Sequence, residues 1–295
     1  MFIIRNKWIF IGIAGALALA AFLVILIKGI NVGIEFTGGS VVEVSYEQVP
    51  ELATVNDALA GFDFNAVVQP FGDDGYIIRS RELAEADREV MLAALEIDGS
   101  VPQLERFNTI GPTIGKELRS KAVWAIILVI LAIVFFIAFA FRKVAKPVSS
   151  WKYGIIAIIT LVFDVMVPLG IFVLLGKEAT TLLVVGLLSI LGLSVNDTIV
   201  IFDRIRENLK NNHDNNDKKS FDVLVGQAIK QTMARSINTS LTLVMALVAL
   251  VVFGPAATQD LALILLLGTF FGAYSSIFLA SPLLVVWNQD KETQE

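Results

Sequence analysis

Hydrophobic and polar positions alternate between two regimes along this chain. Residues 8–27 run without a charge, and about 20 apolar residues suffice for a helix to cross a hydrocarbon core. Five more apolar stretches occupy about 122–141, 154–175, 181–202, 236–253 and 261–287. Each is long enough for a membrane span, so the pattern predicts six transmembrane helices. Between the first and second spans, residues 28–121 carry charges throughout and lack long apolar runs.

Within that interval the period falls to two. Val42, Val44 and Tyr46 alternate with Val41, Glu43, Ser45 and Glu47 over residues 40–47, the pattern of a strand with one buried face. Pro50 precedes Leu52, Val55 and Leu59 at helical spacing, as suits the start of a helix. Residues 66–71 and 76–80 read as strands around the turn Gly72-Asp-Asp-Gly75. Ser80 is the expected cap of a second helix running to about residue 95, with Leu83, Val90, Met91 and Ala94 inward. Residues 104–110 form a weaker last strand. The order β-α-β-β-α-β predicts a ferredoxin-like split βαβ unit. The fold class is thus an α-helical polytopic membrane protein with one α+β ferredoxin-like domain between its first and second spans. Residues 1–28 hold the N-terminus and first span, 29–120 the α+β domain, 121–290 the five-helix region and 291–295 the tail.

Composition agrees with the spans. Hydrophobic residues make up 56% of the 295 and charged ones 17%, with a mean hydropathy of +0.73; soluble domains are nearer 25% charged. A net charge of −5 offers no basic face to nucleic acid. Without cysteine there is no disulfide, thiolate metal site or thiol nucleophile. His213 stands in the polar run NNHDNN and has no second histidine to share a metal with. No cofactor is expected.

Cations set the expected topology. Arg5 and Lys7 precede the first span; a leader cleaved after Ala18-Leu-Ala20 is disfavoured because that site lies inside the apolar run. Arg142, Lys143, Lys146 and Lys152 follow the second span, and Arg204, Arg206, Lys210, Lys218, Lys219, Lys230 and Arg235 follow the fourth. Segments 176–180 and 254–260 hold only Lys177. The positive-inside rule then places both termini in the cytoplasm and residues 29–120 outside the plasma (inner) membrane. Phe221, Leu224, Val225, Ala228, Ile229 and Met233 recur at helical spacing, predicting an amphipathic helix near 221–234 lying along the cytoplasmic interface. Gly268, Gly272, Ser276 and Ala280 stand at every fourth position of the last span, a row that allows close helix packing.

Polar residues inside the spans are the candidate chemistry. A carboxylate at membrane depth costs about 2.5–3.5 kcal/mol on insertion scales. Asp164 falls near mid-span by the ~1.5 Å rise per residue, and Asp197 lies near the cytoplasmic end of the fourth span. Arg235, Thr239 and Thr242 share a face at the start of the fifth. Running antiparallel to the fourth, that helix brings Thr239 level with Asp197 and lets Arg235 reach toward it along its stem. The expected site is a charge-linked pocket of Asp164, Asn196, Asp197, Thr198, Arg235 and Thr239. A carboxyl in low dielectric exchanges a proton as a cation moves or water enters, which is proton-relay chemistry. Asp203, Arg204, Arg206 and Glu207 read instead as a rim network, with Asp203–Glu207 and Arg204–Asn208 as same-face neighbours. Gly33, Glu35, Phe36, Thr37, Gly38 and Gly39 belong to a turn or hinge whose paired glycines admit another backbone; no Lys-Ser/Thr follows to make it a phosphate loop.

These motifs also carry a resemblance. The stretch from Gly192 to Asn208, GLSVNDTIVIFDRIREN, closely resembles the signature of the SecF family of bacterial protein-export membrane proteins. Gly33-Ile-Glu-Phe-Thr-Gly-Gly39 is similar to that family's Gly-Ile-Asp-Phe-Thr-Gly-Gly, with Glu35 in place of Asp, and Arg235-Ser-Ile-Asn-Thr-Ser240 to a third motif. The resemblance implies pairing with SecD in a unit like the resistance-nodulation-division transporters. It also implies association with the SecYEG channel, with YajC and YidC as further partners, and use of the proton gradient to draw preproteins across the membrane. It places the family's intramembrane Asp on Asp197 and its coupled Arg on Arg235. Phe163 stands where the family usually has His before Asp164.

Three other readings are weaker. A small-molecule or lipid exporter of the same superfamily would need a second six-span half. An intramembrane aspartyl protease would need Gly-x-Gly-Asp, whereas Asp197 follows Ser-Val-Asn, so no enzyme is expected. A structural scaffold would need only a static buried ion pair.

Overall fold

The computed structural model describes residues 2–72, 74–140, 150–215 and 219–292. Arg142, Lys143, Lys146 and Lys218, Asp73 of the predicted turn and residues 293–295 of the tail lie outside the described residues. The chain forms two compact units, Val32–Val123 and the remainder.

In the first unit, strands β1 (Gly39–Ser45), β2 (Val67–Phe71), β3 (Gly75–Ser80) and β4 (Gln103–Ile110) make one antiparallel sheet in the order β2-β3-β1-β4. That is the ferredoxin-like order, with helices α4 (Leu52–Ala60) and α5 (Glu85–Ala94) as the crossovers. One sheet face is buried, as the alternation predicts: Val42, Val44, Tyr46 and Ile78 meet Val55 and Leu59 of α4 and Met91 of α5. Ser80 corrects one expectation. It ends β3 opposite Ser40 instead of capping a helix, and α5 begins at Glu85 after an extended Ala84. Leu83 still enters the core, from the connection, while Val90 faces outward.

The Gly33–Gly39 segment contains a one-turn helix, α3 (Ile34–Thr37), closed by Gly38 at φ +78° and Gly39 at φ +123°. A Cβ on Gly38 would stand 2.7 Å from the Pro112 backbone, and one on Gly39 2.6 Å from the Ser80 carbonyl oxygen. Both glycines are therefore required by backbone conformation and by close approach.

The other unit is helical. Among the described residues six helices are long and apolar enough to cross a membrane: Lys7–Lys28, Pro112–Ile137, Trp151–Leu174, Thr181–Asp214, Phe221–Phe253 and Thr258–Asn288. They belong to α2 (Lys7–Lys28), α6 (Pro112–Ala140), α7 (Ser150–Leu174), α8 (Thr181–Asp214), α9 (Phe221–Phe253) and the α10–α11 pair. Helix α1 (Phe2–Arg5) precedes α2, and a π turn (Ser276–Ala280) joins α10 (Ala256–Ser275) to α11 (Ser281–Glu292). Pro282 lacks the amide that would continue the ladder there, and the Ser281 hydroxyl donates to the Ser276 carbonyl at 3.4 Å.

The predicted interfacial helix at 221–234 is corrected by this arrangement. Those residues are the first turns of the continuous helix α9. Their apolar face, Phe221, Val225, Ala228 and Ile229, packs on Ile201, Phe202 and Ile205 of α8 and Ile3 and Ile4 of α1. Periodicity reports an apolar face; it does not distinguish protein from lipid as the surface that covers it.

Candidate functional site

Small residues on α10 draw it tightly against α8. A Cβ on Gly268 would lie 2.2 Å from Ile190 and one on Gly272 3.2 Å from Ser194, while one on Gly186 would lie 2.5 Å from Ile264. The row of small positions is thus a seam, and it ends at the hydroxyls around which the intramembrane carboxyls gather.

Two carboxyls flank α8 on different sides. Asp164 of α7 is fully buried. Pro168, four residues on, lacks the amide that would bond the Asp164 carbonyl, so the helix is loosened at this carboxyl. The Ser194 hydroxyl donates to Asp164 Oδ2, and Ser275 is a second hydroxyl beside it. Asp164 Oδ1 is buried without a hydrogen-bond partner among the described residues. Thr198, one turn below Ser194, shares a 2.9 Å hydrogen bond with Ser276 at the π turn.

Asp197 faces the other way, toward α9. Ser240 Oγ donates to Asp197 Oδ2 at 3.4 Å. A cleft of about 40 Å³ opens here, lined by Ser194, Asn196, Asp197, Thr239, Ser240 and Thr269 among others. That exceeds the roughly 10–15 Å³ one water needs, with polar partners at hand. Thr269 Oγ1, buried without a partner among the described residues, is one of them.

Arg235 lines a second, wider pocket of about 300 Å³ with Asp203, Arg204, Glu207 and Gln231. Its side chain is exposed, and among the described residues it makes no ion pair with Asp197. It is nevertheless the cation near enough to act on Asp197 through space. The rim network expected of these four residues forms through Arg206–Asp203 at 2.5 Å and Arg204–Glu207 at 2.6 Å. Asn208 donates to Gln231 Oε1 at 3.1 Å, an oxygen that Arg204 Nε also reaches at 2.8 Å.

The six-residue pocket expected from the sequence is therefore divided. Asn196, Asp197 and Thr239 line the cleft, Asp164 and Thr198 lie on the buried side of α8, and Arg235 stands at the rim. Successive helical residues turn by about 100°, so Asp197 and Thr198 cannot share a face. From the sequence, Ser194, Thr269, Ser275 and Gln231 have no place in the site, and Ser276 is named only as a packing position and Ser240 only within a motif. Hydroxyls in apolar helices commonly bond their own helix, as Ser189 does to Val185 and Thr160 to Ile156. Sequence carries no signal that Ser194 and Thr198 instead bond across helices.

Comparison with known proteins follows the same architecture. The profile of the protein export membrane protein SecD/SecF C-terminal family matches residues 92–290, and the SecD/SecF GG motif matches residues 23–48. The chain belongs to the SecD/SecF family. Protein translocase subunit SecF of Thermobaculum terrenum is 38% identical, with 98% of this chain and 94% of that one covered. SecF of Pseudomonas aeruginosa is 33% identical over 90% of this chain and 84% of its own. The crystal structure of SecDF, a translocon-associated membrane protein from Thermus thermophilus, superimposes with a TM-score of 0.85 at 31% identity. That match covers 97% of this chain and 38% of the solved one, so this chain spans less than half of that SecDF polypeptide. The chain is a multi-pass membrane protein of the SecF type, and its relatives are named as translocase subunits, not enzymes.

Proposed function

We propose that this chain is the SecF half of a proton-driven accessory to protein translocation, working with SecD and the SecYEG channel to move preproteins outward across the plasma membrane. The observation that carries the reading is the placement of Asp197. Its carboxyl sits within an apolar span yet lines a cleft roomy enough for water, with the Ser240 hydroxyl on one side and Arg235 at the rim. A carboxyl so placed gains and loses a proton as water and the guanidinium move. Protons are the coupling ion in this reading, and each charge falling through 100 mV supplies about 2.3 kcal/mol.

SecD is the partner in this reading, because the SecDF chain that this one resembles extends well beyond the 38% of it matched here. Arg204, Arg206, Lys210, Lys219 and Lys230 cluster about one end of α8 and α9, while Lys177 is the one cation in the connections 176–180 and 254–260 at the other. That asymmetry favours cytoplasmic termini and an outer location for the α+β unit.

Reconstitution with SecD and SecYEG tests the proposal. Late-stage export is followed with and without a proton gradient for the wild type, Asp197→Asn and Arg235→Ala. The gradient's stimulation is expected to vanish in both variants while the complex still assembles. Full stimulation in Asp197→Asn would refute the motor and leave a scaffold.

A further inference from the structure

Asp164 is fully buried, yet it stands one hydrogen bond from the Asp197 cleft. Two hydroxyls adjoin its carboxyl. Ser275 is fully buried and spends its hydrogen on the Gly272 carbonyl at 3.1 Å. Ser194 donates to Asp164 Oδ2 and also lines the cleft that holds Asn196, Asp197, Thr239 and Ser240. Among the described residues no cation pairs with Asp164, and its Oδ1 has no donor. A carboxyl so placed takes up a proton without breaking an ion pair. Of the two hydroxyls, Ser194 is the one that also lines the cleft.

We propose that Ser194 is the proton bridge between the water-accessible Asp197 cleft and Asp164, which serves as an inner proton store. This rests on the proton-relay reading of Asp197 and adds a second compartment to it. The step balances within the groups named. The Ser194 O–H proton passes to Asp164 Oδ2, and a protonated water in the cleft supplies the Ser194 oxygen with its replacement. The net change is one proton moved from cleft water to the Asp164 carboxylate, with Ser194 restored. The return transfer discharges the store by the same path.

The hydroxyl is held for this task by its surroundings. Gly272 lies opposite, and a Cβ there would come within 3.2 Å of Ser194 Cβ. One turn below, the Thr198–Ser276 hydrogen bond ties the same row of α8 to the π turn. Ser194 is therefore a positioning and relay group, distinct from Asp197, which faces α9.

The test uses the full-length chain with its SecD partner in lipid. Infrared difference spectra are recorded on exchange from light to heavy water, and the Asp164 carboxyl band is assigned by its loss in Asp164→Asn. Ser194→Ala is expected to slow deuteration of that band by about tenfold or more, the scale on which a positioned proton-transfer group acts. Ser194→Thr, which keeps the hydroxyl, is expected to exchange at the wild-type rate. Unchanged exchange in Ser194→Ala would overturn the bridge, and so would the absence of any protonated band assignable to Asp164. Should Ser194→Ala not assemble, Ser194→Val, isosteric with the Thr variant but without its hydroxyl, takes its place: slowed exchange supports the bridge and a wild-type rate refutes it. Exchange is read without translocation, so this result stands apart from the export assay on Asp197→Asn.

Discussion

Ser240 on α9 donates a 3.4 Å hydrogen bond to the Asp197 carboxylate on α8. The two helices run antiparallel, and this contact fixes their relative height at the cleft. It is long for an O–H···O bond. Its net worth therefore falls toward the low end of the usual 0.5–1.5 kcal/mol or about two- to tenfold in an equilibrium. Ser240→Ala is expected to weaken gradient-dependent export by about two- to threefold, far less than loss of Asp197 itself. Ser240→Thr should retain most of the wild-type rate. Export by reconstituted complexes measures both.

The α8–α10 seam makes a stability prediction. A Cβ on Gly268 would overlap Ile190, which is itself buried. Overpacking of this kind costs about 1–3 kcal/mol, so Gly268→Ala should lower the thermal midpoint in detergent. Gly192 has nothing within 4 Å of its Cβ position, and Gly192→Ala should leave the midpoint unchanged or raise it. Equal effects at the two positions would contradict the seam.

Gly38 and Gly39 hold the start of β1 against Pro112 and Ser80. At Gly38 an alanine meets both a left-handed φ of +78° and a backbone atom at 2.7 Å. With ψ at 165° Gly38 lies in a region open essentially to glycine alone, which costs a residue with a Cβ about 1–3 kcal/mol. Gly38→Ala and Gly39→Ala are each expected to raise the protease sensitivity of the α+β unit. Gly61→Ala, at an open position outside the left-handed region, should not.

Tyr46 offers a pH readout outside the membrane spans. Its hydroxyl donates to the Leu95 carbonyl at 3.2 Å inside the sheet–helix core. Burial, with Tyr76 beside it, pushes its pKa from 10.0 up to about 12. The fold thus favours the neutral phenol. That stabilisation is fully present below pH 10 and is lost as pH rises to about 12. Alkaline unfolding of the α+β unit should track the appearance of tyrosinate absorbance in this window. Tyr46→Phe should unfold with a shallower dependence on pH there.

Much of this protein was legible in its sequence. Runs of about 20 apolar residues mark spans because an unbonded backbone is intolerable in hydrocarbon. Strict alternation through Val42, Val44 and Tyr46 marks a half-buried strand because strand side chains alternate by geometry. Both signals are local, and both elements formed where they pointed. The intramembrane position of Asp164 and Asp197 follows from the same runs. The tertiary structure alone decided which way these groups face. It placed Ser194 against Asp164 and Ser240 against Asp197, put Arg235 at the rim, and packed the start of α9 on α8 in place of a lipid surface. A residue's neighbours across helices depend on the rotation and height of separate elements, set by contacts such as Gly268 on Ile190 that lie far apart in the chain. No period along one helix encodes them.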